Sequence, residues 1–88
     1  MAQVYNKTQA ILDTASGTFT IDAPCDHFRV QVFGAGSGSV QPYINGSSDF
    51  EAYTISDTAR TLYISGVEKF VITASGGAIT AQVFGFRG

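Results

Sequence analysis

Apolar and polar residues alternate with a period of two along most of this chain, and that alternation restricts it to β-structure. In Thr18-Phe19-Thr20-Ile21 the apolar pair points one way and the threonines the other. In Phe28-Arg29-Val30-Gln31-Val32 an apolar trio opposes Arg29 and Gln31, and Ile79, Ala81 and Val83 oppose Thr80 and Gln82 in the same manner. Successive side chains of a strand point to opposite faces, so this pattern gives one dry and one wet face, as antiparallel sheets have. Leu and Glu are scarce, β-branched and aromatic residues are common, and helix signals are nearly absent. Eight short strands are expected near Gln9–Asp13, Thr18–Asp22, Phe28–Phe33, Val40–Ile44, Phe50–Ser56, Thr61–Ser65, Phe70–Ala74 and Ile79–Phe84. Phe28, Val30, Phe70, Ile72, Ile79 and Val83 are the expected core.

Turn residues punctuate these strands. Gly34-Ala35-Gly36-Ser37-Gly38 reads as a pliable hairpin loop and Ser75-Gly76-Gly77 as a tighter one. Asn45-Gly46 supplies the positive φ angles that tight turns require. Pro24 falls in a connection, whereas Pro42 lies within a strand, which should therefore be an edge or contain a bulge.

A weak internal repeat adds to the pattern. Asp13-Thr14-Ala15 matches Asp57-Thr58-Ala59, Phe19 matches Leu62, and Ile21 matches Ile64. Phe28-Arg29-Val30 then matches Phe70-Val71-Ile72, while Val40, Pro42 and Ile44 match Ile79, Ala81 and Val83, with Gly46 opposite Gly85. Alternating strands resemble one another under any such comparison; the Asp-Thr-Ala identity in register with apolar positions argues for more than that. The expectation is an antiparallel, jelly-roll-like β-sandwich of about eight strands. Residues 1–7 would form an N-terminal arm and residues 8–88 one sandwich domain. Its quasi-repeats, about 8–46 and 50–86, would be four-strand halves facing each other across a shared core.

A length of 88 residues fits one domain with a modest core. Apolar residues make up 44% of the chain and charged residues 14%, a balance that argues against disorder and leaves little charge repulsion between copies. Net charge is −2 and the five basic residues, Lys7, Arg29, Arg60, Lys69 and Arg87, are scattered. Nucleic acid is thereby disfavoured, since binding it takes a basic stripe. Cys25 is the sole cysteine, which forbids an internal disulfide and fits a reducing cytoplasm. Neither a leader peptide nor a long apolar span is evident, so a soluble chain made in the cytoplasm of its cell, without a membrane role, is expected.

Candidate chemistry is sparse. Cys25-Asp26-His27 is the one place where reactive side chains cluster. Adjacent residues of an extended segment point apart, and no second His or Cys completes a zinc site, so a polar connection with Cys25 partly buried is the favoured reading. The carboxylates Asp13, Asp22, Asp26, Asp49, Glu51, Asp57 and Glu68 lack the cleft and stacking tryptophans of a glycosidase, and they form no calcium-loop run. Asp13 and Asp57, just after strands, suit local bonding to turn amides. The glycine-rich loop is followed by a strand, not by the helix a phosphate site needs. No catalytic, cofactor-binding or metal-binding residue is assigned, no cofactor is implied, and an enzyme is not expected.

Outward-facing aromatics carry more information. If Phe28, Val30 and Val32 face the core, Phe33 faces out; Tyr63 shares the face of Thr61, Tyr43 that of Gln41, and Phe84 and Phe86 that of Gln82. Together Phe33, Tyr43, Tyr63, Phe84 and Phe86 are candidates for an interface with another copy or another protein. The other expectation is that twisted strand ends return Phe33, Phe84 and Phe86 to the margins of the core.

The Ser/Thr/Gly/Gln-rich strands, and the closing segment Val67-Glu68-Lys69-Phe70-Val71-Ile72-Thr73-Ala74-Ser75-Gly76-Gly77-Ala78-Ile79-Thr80-Ala81-Gln82-Val83 above all, resemble the small all-β accessory proteins of tailed bacteriophage virions. These are capsid decoration or cement proteins and short fibre or collar components. The resemblance covers about the last third of the chain in style of sequence and carries over no functional residue. It implies a non-catalytic structural protein located in the virion, a homo-oligomer, often a trimer, that binds a capsid or other virion protein and stabilises the lattice. The competing expectation is a module that binds carbohydrate or another cell-surface ligand, with Tyr5, Tyr43, Tyr53 or Tyr63 in place of the missing tryptophan.

Overall fold

Eight strands form in the order the alternation predicts. The computed structural model describes residues 2–48 and 51–88. Its strands are β1 (Ala2–Ile11), β2 (Ser16–Thr20), β3 (His27–Gly34), β4 (Ser37–Ile44), β5 (Tyr53–Ile55), β6 (Thr58–Leu62), β7 (Val67–Ser75) and β8 (Ile79–Arg87). No helix occurs among the described residues. The expected start of the fifth strand at Phe50 lies outside them. Residues 2–7, read from the sequence as an arm, are the beginning of β1 and pair with β8, apart from a bulge between Gln3 and Tyr5.

Two four-stranded antiparallel sheets pack face to face. One runs β1-β8-β3-β6 and is called sheet A below; the other, sheet B, runs β2-β7-β4-β5. This is a jelly-roll-like order. Exchanging the first four strands for the last four converts the order of sheet A into that of sheet B, so the pairing scheme is twofold symmetric. Each sheet nevertheless takes two strands from each half. The halves are interleaved, not apposed, which corrects the expectation that one half faces the other.

The reason lies in the turns. Gly34–Gly38 and Ser75–Gly77 were both expected to close hairpins, but β3 and β4 belong to different sheets, as do β7 and β8. Both are arches that carry the chain from one sheet to the other. Where the arches meet, a Cβ on Gly36 would collide with the Gly77 carbonyl oxygen and lie 2.7 Å from that of Ser75, so only glycine fits there. The connection from β4 to β5 stays within sheet B. It begins with a two-residue turn in which Asn45 and Gly46 both have positive φ (52° and 74°) and Ile44 and Ser47 exchange backbone hydrogen bonds of 3.0 Å. Pro42 sits in β4, an interior strand of sheet B. It is tolerated because β5 pairs with β4 from Gly38 to Val40 alone, and the ladder to β7 shifts just beyond Pro42, between Tyr43 and Ile44.

One core fills the space between the sheets. Phe19, Phe28, Val30, Val32, Val40, Phe70, Ile72, Ala81 and Val83 are fully buried in it, and Ile79 nearly so. All six expected core residues are therefore buried. Pairing of Phe28 with Leu62 and of Phe70 with Phe19 upholds those two correspondences of the repeat. Val40 stands opposite Ile72 as Val83 stands opposite Val30, so Val40 corresponds to Val83, not to Ile79 as the sequence comparison had it. The inner face of β1 is polar in its middle. Lys7 Nζ donates to the Thr18 carbonyl at 3.0 Å and lies 5.4 Å from the Phe19 ring centre, and Gln9 packs beside Gly17. These two side chains close the open flank between edge strands β1 and β2.

Candidate functional site

The outer face of sheet A is built by the residues that alternate with the core positions. His27, Arg29, Gln31 and Phe33 project from β3, and Thr80, Gln82, Phe84 and Phe86 from β8. Register aligns them into rows across the sheet: Gln3, Phe86 and His27; Asn6, Phe84, Arg29 and Thr61; Thr8, Gln82, Gln31 and Ala59; Ala10, Thr80 and Phe33. Tyr63, immediately beyond β6, completes the first row. Arg29 is the one Lys, Arg, Asp or Glu residue in these rows. The face is thus aromatic at one end, amide- and hydroxyl-rich in the middle, and apolar again at Phe33.

Its first row is a stack. The His27 ring lies between Phe86, at 5.0 Å and 11° between planes, and Tyr63, at 5.7 Å and 23°. Such parallel packing buries His27 although its side chain projects away from the core. His27 Nδ1 donates to Asp26 Oδ1 at 2.6 Å, and Asp26 Oδ2 accepts the Gly88 amide at 2.9 Å. The Gly88 amide and the His27 ring hold the Asp26 carboxyl below the usual carboxylate range. Asp26 thereby ties the imidazole and the end of β8 to one point.

Cys25 and His27 do not form a thiol–imidazole pair. Cys25 is half-buried and its Sγ contacts the Ala23 carbonyl at 3.4 Å, while the imidazole is engaged by Asp26. Burial pushes the thiol up from its ordinary value, and Asp26 and Asp22 push it further, which keeps it protonated and weakly nucleophilic at neutral pH. The sequence reading of a polar connection holds for Cys25 and Asp26, but His27 is the first residue of β3 and part of the stacked face. Asp13 Oδ1 accepts the Gly77 amide at 3.1 Å, joining the β1–β2 turn to the β7–β8 arch.

Four of the five aromatic candidates share this face. Tyr63 is 82% exposed and Phe33 44%, while Phe84 and Phe86 are half-buried by their row neighbours. None of the three phenylalanines is drawn back into the core. Tyr43 is separated from them: it lies on sheet B, half-buried, with Lys69 Nζ 4.7 Å from its ring centre. Sequence reasoning missed His27 as a member of the face. The available signal was its place one residue before Phe28, in phase with Arg29. It also missed an apolar groove of about 200 Å³ at the opposite end of the sheet, lined by Ala10, Ile11, Leu12, Phe33, Gly34, Ala78, Ile79 and Thr80.

No family model and no curated protein matches the chain. No helix among the described residues is long and apolar enough to cross a membrane. Among solved structures, the chain is similar to wild-type ToxT from Vibrio cholerae strain SCE256, in its crystal structure with a bound unsaturated fatty acid. The identity is 13% and the TM-score 0.59, over 99% of this chain and 30% of ToxT. The chain thus spans under a third of that protein's length, and the likeness is one of fold.

Proposed function

We propose that this chain is a non-catalytic structural protein, a virion accessory protein that uses the outer face of sheet A to bind and stabilise a protein lattice. The observation that carries this reading is the continuous face from Tyr63 through His27 and Phe86 to Phe84, aromatic, nearly free of charge and set on four paired strands. Faces of this composition lose little on desolvation and gain apolar contact, and aromatic side chains are enriched at the centres of protein interfaces. A rigid sheet also presents them without the ordering cost of a loop.

The experiment is co-sedimentation with shells assembled from the capsid protein encoded beside this chain's gene. Wild-type chain should travel with the shells, and Phe84→Asp, which places a charge in the middle of the face, should lose at least about 2 kcal/mol of that binding. Equal sedimentation of the two, or a gene with no structural virion gene beside it, contradicts the reading. Carbohydrate binding rests on a narrower observation. Tyr5 is buried, and Tyr43 and Tyr53 are capped by Lys69 and Arg60, so Tyr63 is the tyrosine left open for sugar stacking. A glycan screen in which Tyr63→Ala abolishes binding would favour that alternative.

A further inference from the structure

Edge strands are the other place where this sandwich meets its surroundings. Sheet A ends in β1 and β6, and sheet B in β2 and β5. Three of these edges are short: β2 and β6 have five residues each and β5 has three. Short edges are a common protection against strand addition. β1 has ten residues, and beyond its bulge near Val4 the run from Tyr5 to Ile11 is unbroken, about 23 Å of regular edge. Among the described residues no backbone hydrogen bond reaches it from the side away from β8. Its one charge does not guard it either, because Lys7 turns inward onto Thr18 and Phe19.

We infer that β1 pairs with β1 of a second copy, antiparallel about a twofold axis, to make one eight-stranded sheet from two copies of sheet A. The occupant follows from the self-complementarity of the strand. Val4 and Leu12, 39% and 74% exposed, are two of the exposed large apolar side chains, and they stand equally far on either side of Thr8. With Thr8 on the axis, the uninterrupted run from Tyr5 to Ile11 pairs with itself, and Val4, at the bulge, comes beside Leu12, one residue beyond β1, of the other copy, at the mouth of the apolar groove that Ala10, Leu12 and Phe33 line. The same register sets Asn6 against Ala10, Lys7 against Gln9 and Thr8 against Thr8. No like charges oppose each other, and threonine pairs are among the favourable cross-strand neighbours. Both contributions repeat by symmetry, as an isologous contact requires. The twofold axis of such a pair is perpendicular to the sheet, so the aromatic faces of the two copies point the same way. This deepens the lattice reading and rests on it in that one respect: self-association is assigned to the edge, and the face stays open for the lattice protein.

The test is light scattering of the purified chain across a dilution series. Wild type should show dimer mass that falls on dilution. Thr8 is exposed on the outer face, so Thr8→Lys and Thr8→Glu leave the core intact while placing like charges opposite each other at the axis. Each should weaken dimerisation by about fivefold or more, and an equimolar mixture of the two should regain dimer mass, which misfolded chains would not do. Phe84→Asp should keep the dimer. On wild type alone, alternate β1 amides should exchange more slowly as concentration rises. A wild-type chain that is monomeric throughout, dimerisation unaffected by either Thr8 variant, or a dimer lost in Phe84→Asp and kept in Thr8→Lys overturns the inference. Shell binding is measured separately, so its loss or persistence bears on the lattice reading alone.

Discussion

Phe28 and Phe70 occupy corresponding positions in the two halves, and their rings meet edge to face at 4.8 Å in the centre of the core. In that geometry the positive rim of one ring points at the negative face of the other. Phe70→Ala removes both the contact and a fully buried side chain, at a cost of about 3–5 kcal/mol, which is a large share of what a domain this small can hold. Urea unfolding measures it, and a variant that melts like the parent would show the centre of the core to be elsewhere. Both residues were legible in the sequence because inward direction follows from alternation within one strand. His27 was not. It shares the outward phase of Arg29, and its burial comes from Tyr63 and Phe86, which are brought beside it by strands far along the chain. Single-strand periodicity carries no information about neighbours across a sheet.

At the scale of elements, strands with a full apolar face were plain and those without one were truncated or misplaced. β3 has an unbroken inner row and extends one residue beyond the expected span at each end, while β8 begins at Ile79 as expected and runs three residues past Phe84, beyond its last large inward side chain, Val83. β1 buries Tyr5 and Ile11 but puts Lys7 and Gln9 on the inner side between them, so its first six residues have no apolar alternation to read. β8 supplies the pairing that makes them a strand. The arches were misread for a related reason: Gly-rich turns look alike whether they join neighbours in one sheet or cross between two. Gly36 records the difference. Gly36→Ala forces the two arches apart and should destabilise the fold by about 1–3 kcal/mol, whereas an alanine tolerated there without loss of melting temperature would mean that the arches do not touch.

For the whole molecule, the pairing scheme maps onto itself when the halves are exchanged, yet its outer surfaces differ. The outer face of sheet A carries the aromatic stack beside the long β1 edge, while that of sheet B carries Tyr43, half-buried with Lys69 over its ring; Tyr53, in register with Val40, turns inward against the core. The repeat in the sequence reports the shared core positions and says nothing of that asymmetry, which arises where the halves diverge. Phe33, Tyr63, Phe84 and Phe86 could be named as outward residues from the sequence; that four of them share a sheet and Tyr43 does not became visible with the strand order. The reading proposed above makes this one face, and not its counterpart on sheet B, the contact surface. Hydroxyl-radical footprinting of the free chain and of the chain on assembled shells distinguishes the two faces. Modification of Tyr63 and Phe33 should fall severalfold on the shells while Tyr43 is labelled as in the free chain; protection of Tyr43 with Tyr63 still fully labelled would place the contact on sheet B instead.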